Sequence, residues 1–224
     1  MKIALQLLAS AVFGVLFMGV VLFWPAGTFD YWQAWVFIAV FIVGTMVPSM
    51  YLAVKYPDAL RRRMTSGPFA ETRLVQKLVT VGIVVMVVAV GVVSALDHRF
   101  GWSTVPTSVV VAGNVLVLVG LGLAELVVVQ NNYAAATITV EAGQKVVSTG
   151  LYGLVRHPMY VGALIMMIGM PPALDSYWGL VTVVPAVLVF ALRITDEEKA
   201  LHEELDGYDE YTQKVHYRLV PGVW

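Results

Sequence analysis

The chain has 224 residues, 59% hydrophobic and 13% charged, with net charge −1 and mean hydropathy +0.79. Soluble domains carry roughly 25% charged residues, so the composition describes an integral membrane protein with little chain left for a separate soluble domain. Cysteine is absent, which excludes disulfides, thiolate metal sites and thiol nucleophiles.

A membrane-spanning helix needs about 20 apolar residues. The first such run is Ile3 to Trp24, closed by Pro25 and Gly27. No small-residue cleavage pattern ends it, so it reads as a retained span rather than a leader. The second is Trp32 to Val54, with Pro48 inside it as a kink. A basic loop from Lys55 to Lys77 follows, carrying Arg61-Arg62-Arg63, a Ser66-Gly67-Pro68 turn and Arg73. The third span is Leu78 to Leu96, and Asp97-His98-Arg99 with Gly101-Trp102-Ser103 reads as a polar connection. The fourth is Val109 to Val129. A polar segment, Gln130 to His157, precedes two shorter runs, Tyr160 to Leu174 and Trp178 to Leu192, joined by a turn at Pro171-Pro172 and Asp175-Ser176.

Charge sets the orientation. With six crossings and the N-terminus in the cytoplasm, Lys2, the Lys55–Lys77 loop, Lys145, Arg156, Arg193, Lys199, Lys214 and Arg218 all fall inside. That is thirteen of the fourteen Lys and Arg residues; Arg99 alone lies outside, as the positive-inside rule requires. The expected architecture is an all-α polytopic membrane protein of about six transmembrane helices. Its last two form a short hairpin, both termini are cytoplasmic, and the C-terminal tail is helical. Beyond Leu192 the helical pattern continues through Glu197, Leu201 and Leu205 to Gly207, and Tyr208, Tyr211 and Val215 form a second short amphipathic piece.

Chemistry concentrates in two stretches that this topology places on one side of the membrane. In Ser148 to Gly162, Pro158 suits the first position of a helix and biases His157 away from helical backbone. Arg156 and His157 then stand at a helix N-terminus, where unpaired N–H groups favour an anion. In the tail, Arg193 and Glu197 are one turn apart on one helix face, at a boundary where an acid is costly unless paired. An aromatic and basic membrane anchor, or a solvated helix face, explains either stretch alone. In the fourth span, Gly120-Leu121-Gly122 reads as a packing element and Glu125 as an intramembrane acid with functional potential. Asn114, Asn131 and Asn132 read as structural. The four histidines lack metal-ligand spacing, so no metal is expected, and nothing points to a nucleic-acid partner.

Together, Gly150-x-Tyr152-x-x-x-Arg156-His157-Pro158-x-Tyr160-x-Gly162 and Arg193-x-x-x-Glu197-Glu198 resemble the isoprenylcysteine carboxyl methyltransferase and phospholipid methyltransferase superfamily, from about Gly120 to Trp224. The resemblance implies S-adenosyl-L-methionine as cofactor and methyl transfer at the cytoplasmic face. It implies three N-terminal spans over 1–106 and a methyltransferase core over 107–224. It puts Gln144, Lys145, Val146, Val147, Tyr152, Arg156, His157, Pro158, Met159, Tyr160, Glu197 and Glu198 at the cofactor. Arg193 would face the substrate and, with Glu197, carry catalysis. Family members usually have a histidine where Gln144 stands. Gly120-Leu121-Gly122 fits a G-x-G element of the phospholipid branch.

The implied acceptor is lipophilic, an isoprenylcysteine-type carboxylate by family, entering from the bilayer among membrane lipids. A phospholipid amine or a small thiol are the acceptors of sister branches, and an amine would need a base such as Glu197, Glu125 or His157. The C-terminal Gly-Tyr-x-x-Tyr and Tyr-Arg-x-x-Pro also resemble the sterol reductases, which transfer hydride from NADPH. A non-enzymatic membrane scaffold is the reading from another class. The expected location is a bacterial or archaeal inner membrane.

Overall fold

Apolar runs in lipid must satisfy every backbone N–H and C=O internally, which leaves the helix as the form for each run. The computed structural model describes residues 2–64, 74–134 and 143–224. Its helices are α1 (Lys2–Ala26), α2 (Trp32–Lys55), α3 (Pro57–Met64), α4 (Leu74–Phe100), α5 (Thr107–Gln130), α6 (Pro158–Ala173), α7 (Val183–Glu204) and α8 (Tyr208–Lys214). Short 3₁₀ turns at Gly150–Gly153 and Trp178–Thr182 precede α6 and α7. The Ser66-Gly67-Pro68 turn and Arg73 lie outside the described residues.

Helices α1, α2, α4, α5 and the segment Trp178–Glu204 are long and apolar enough to cross a membrane, and the chain is an integral membrane protein. Helix α6 has 16 residues, about 24 Å at 1.5 Å per residue, short of the ~30 Å hydrocarbon core. The expected hairpin therefore has one short arm and one long arm. The long arm runs on past Leu192 to Glu204, in line with the helical pattern expected beyond that residue.

Helix α4 also overruns its expected limits at both ends. Asp97-His98-Arg99 is its last turn rather than a loop. Burial there is tolerable because Asp97 is fully provided with donors. Its carboxylate accepts from Ser103 N and Oγ at 2.7 and 2.6 Å, Ser176 Oγ at 2.6 Å and Trp178 N at 3.3 Å. Beside it, Asp175 accepts from Val105 N (3.1 Å) and Gln33 Nε2 (3.0 Å). Tyr31 stacks on His98 and donates to Leu174 O. These contacts lock the bundle end away from α3 and the tail. Pro171 and Pro172, expected in the turn, lie inside the last turn of α6, which ends at Ala173.

No helix pair packs as intimately as α5 and α6. The reason is four glycines in two heptad-spaced pairs, Gly113 and Gly120 on α5 facing Gly169 and Gly162 on α6. A Cβ on Gly120 would lie 2.5 Å from Gly162 O and 2.6 Å from Met166 N; one on Gly113 would lie 2.5 Å from Ala173 N. Small residues let membrane helices approach until backbones touch. Gly120 is thus a packing residue, whereas Gly122 meets nothing within 4 Å. The core continues from this pair across Phe37, Val90 and Phe190, so residues before and after 106 share it.

Candidate functional site

At the end of the bundle that carries α3 and the tail, residues 143–157 of the polar segment fold against α6, α7 and α8. Gln130, the last residue of α5, accepts from Leu151 N through Oε1 at 3.0 Å and fills the space beside Gly150 (φ 61°). Its neighbour Asn131 donates to Tyr152 Oη at 3.2 Å. Gly207 (φ 84°) then reverses the chain after α7. Helix α8 returns over the polar segment, and Tyr211 Oη donates to Tyr152 O at 2.7 Å.

The space so enclosed is a partly open cleft with an internal volume of about 110 Å³. Gln144, Lys145, Val146, Val147, Tyr152, Arg156, His157, Pro158, Met159, Tyr160 and Glu197 all line it. Glu198 and Arg193 do not. Asn131, which reads as structural in the sequence, and Tyr133, Leu201, Leu205, Tyr208 and Tyr211 complete the wall. The aromatic members supply stacking faces, Glu197 an acceptor, and Lys145 and Arg156 cations. Tyr208 Oη is buried at this wall with no hydrogen-bond partner among the described residues, an unmet polar group of the kind a ligand satisfies.

Pro158 occupies the first turn of α6, with His157 before it at φ −124°, ψ 62°. His157 lines the cleft and also reaches α7, where its Nε2 lies 3.1 Å from Glu198 Oε1. The same carboxylate lies 2.8 Å from Arg156 Nε, an ion pair whose N–H is not aimed along the contact, and 2.7 Å from Arg218 Nη2. Arg218 Nε donates to Oε2 at 2.8 Å. Glu198 is therefore a buried counterion for three cationic or ionisable partners, and it stands outside the cleft lining. Arg218 was not legible as a site residue. It arrives because the tail lies along the loop, with Arg156 N and His157 N donating to Tyr217 O and Arg218 O at 2.9 and 3.0 Å.

Arg193 is likewise internal. Its Nε donates to Tyr160 Oη at 2.8 Å, and Nη1 reaches Gln76 Oε1 (3.0 Å) and Thr80 Oγ1 (2.9 Å) on α4. Tyr160 Oη donates in turn to Glu197 Oε2 at 2.5 Å. Arg193 thus reaches the cleft through Tyr160. Glu125 faces Arg63 of α3 and stands outside the cleft lining. Among the described residues no cluster of three metal-ligating acids, histidines or cysteines occurs.

Burial pushes the Tyr152 phenol up to about 12, the Asn131 hydrogen bond opposing this and the Glu197 charge adding to it. Burial raises Tyr208 and Tyr211 as well. All three are neutral donors at physiological pH. Because the folded state keeps these protons after the unfolded chain releases them near pH 10, stability falls as pH rises above about 10. Thermal midpoints in detergent should be flat between pH 7 and 9 with respect to these groups and then decline, and Tyr211→Phe should soften the decline.

This site sits at the start of short α6, on a bundle whose long helices are apolar enough to cross a membrane. The family model "Phospholipid methyltransferase" matches residues 108–206, a little under half of the chain. The fold resembles that of the eukaryotic intramembrane Ras methyltransferase ICMT, an isoprenylcysteine carboxyl methyltransferase. The two share a TM-score of 0.51 and 16% identity, over 98% of this chain and 85% of that one. The Delta(14)-sterol reductase TM7SF2 of Mus musculus is 32% identical over 94 residues, 39% of this chain. That match spans 22% of the reductase's length.

Proposed function

We propose that the chain transfers a methyl group from S-adenosyl-L-methionine to a lipophilic acceptor at the cytoplasmic face, an isoprenylcysteine-type carboxylate being the acceptor the family favours. One observation carries the reading: Arg156-His157-Pro158-x-Tyr160 and Glu197 converge on a single cleft at the membrane-boundary end of the bundle. The cofactor supplies an activated methyl on a sulfonium. The protein has to bind it, hold an acceptor in line and exclude water.

The residues present fit that guest. Glu197 and the unpartnered Tyr208 hydroxyl offer hydrogen bonds for amine and ribose groups, and Tyr133, Tyr152 and Tyr211 offer flat walls. For a carboxylate, Lys145 stands at the lining, and Arg156 with Arg218 outnumber their one counterion Glu198. Arg156 is thus a shared cation, less available than the sequence implies. A carboxylate or thiolate acceptor needs no general base; an amine needs one, and Glu197 is the acid at the cleft.

The partial match to a sterol reductase favours a second reading, hydride transfer from NADPH. Incubating native membranes containing the chain with labelled S-adenosylmethionine separates the two. The proposal expects label in an organic-soluble product, released by mild base when the acceptor is a carboxylate. Saturable NADPH binding without methyl transfer overturns it.

Orientation follows from the charges. Because the chain has no native cysteine, single substitutions Trp102→Cys and Lys214→Cys report sidedness directly. An impermeant thiol reagent applied to intact cells should label position 102, and position 214 only after lysis. The reverse pattern contradicts the cytoplasmic site.

A further inference from the structure

We propose that Gln76 and Thr80 of α4 are positioning residues for the cleft, acting through Arg193, so that α4 belongs to the functional site. The inference rests on the cleft being the S-adenosylmethionine site. Both residues lie outside the segment that matches the methyltransferase family, 108–206, in a span whose sequence carries no motif.

Hydrogen-bond polarity fixes the direction of the chain of contacts that links α4 to the cleft. A guanidinium has donors and no acceptor. Arg193 Nε therefore takes the Tyr160 oxygen as acceptor at 2.8 Å, and the Tyr160 proton is left for Glu197 Oε2 at 2.5 Å. The chain runs one way, from Arg193 to Tyr160 to Glu197, and its last two members line the cleft. Arg193 is 5% exposed and Gln76 is fully buried, where a cation is tolerated only with acceptors around it. Gln76 Oε1 and Thr80 Oγ1 are two of these, at 3.0 and 2.9 Å.

The Gln76 amide cannot flip without loss. Its oxygen faces the arginine and its Nε2 donates to Asp196 Oδ2, so each end meets a group of matching polarity. A glutamate here would set a second negative charge against Asp196, and an apolar side chain would remove an acceptor from a buried cation. In either case Arg193 turns toward acids on its own helix. Glu197 is one of them, so the carboxylate is drawn from Tyr160 and from the cleft.

The test is binding of labelled S-adenosylmethionine to the purified full chain in detergent, in a double-mutant cycle. Gln76→Met, of similar shape, should weaken binding about tenfold, the worth of a hydrogen bond to a charged group. On a Tyr160→Phe background the same change should cost less than about twofold, because the path to Glu197 is already cut. Thr80→Val should behave alike with a smaller effect, and it carries the test if Gln76→Met does not fold. A merely structural role lowers the thermal midpoint and leaves the cycle additive. Wild-type affinity in both single variants, or a full penalty retained on the Tyr160→Phe background, overturns the inference. Failure of the wild-type protein to bind S-adenosylmethionine overturns the cofactor reading itself and removes the inference with it.

Discussion

Glu198→Ala should abolish measurable cofactor binding and destabilise the protein by about 3–5 kcal/mol, the range found when one partner of a buried ion pair is removed. Glu198 is 5% exposed and balances Arg156, His157 and Arg218 together. Alanine leaves two buried or half-buried guanidiniums adjacent, with no acid between them. Three elements part in consequence: the loop before α6, the last turns of α7 and the extended tail that carries Arg218. Glu198→Gln retains the shape and one acceptor oxygen and should fall between wild type and alanine. Ligand binding by titration and unfolding followed by circular dichroism measure the two effects separately. Wild-type midpoint and affinity in the alanine variant contradict the counterion role.

The second large effect is in the helix packing within the bilayer. Gly120→Leu should cost about 3 kcal/mol or more, at the upper end of overpacking penalties, and should open the cleft. The first added carbon already lies 2.5 Å from Gly162 O and 2.6 Å from Met166 N. These are backbone atoms of α6 that cannot turn aside, so α6 must move as a body. Pro158, Met159 and Tyr160 at its start line the cleft and move with it. Gly122→Leu, on the same helix with nothing within 4 Å, is the control and should be near neutral. Comparing thermal midpoints of the two variants in one detergent checks the claim.

Much of this molecule is legible in its sequence because polar residues are conspicuous in an apolar chain. The Arg156-His157-Pro158-x-Tyr160 stretch and Glu197 stand out that way, and Pro158 marks the start of α6. Helix phase is harder to read. Glu197 and Glu198 are chemically alike, but neighbours on a helix point about 100° apart. One therefore faces the cleft while the other turns to Arg156 and Arg218, and only the rotation of α7 against α6 decides which. The resemblance implies that Arg193 faces the substrate; its contacts with Gln76 and Thr80 depend on the register of α7 on α4, which no motif announces. Asp97 marks a loop by hydropathy and is helical because Ser103 and Ser176, brought by other segments, satisfy it. Arg218 sits in an extended tail without periodicity, so nothing local announces its partner.

The central claim is that the cleft between the loop before α6 and the end of α7 holds S-adenosylmethionine. Equilibrium binding of S-adenosylmethionine and of NADPH to the purified chain, each measured for wild type and for Glu197→Gln, tests it most directly. The predicted result is saturable S-adenosylmethionine binding, weakened at least about tenfold by the substitution as a charged hydrogen-bond acceptor is lost, with no saturable binding of NADPH. Binding of NADPH alone, or S-adenosylmethionine binding indifferent to Glu197, contradicts it.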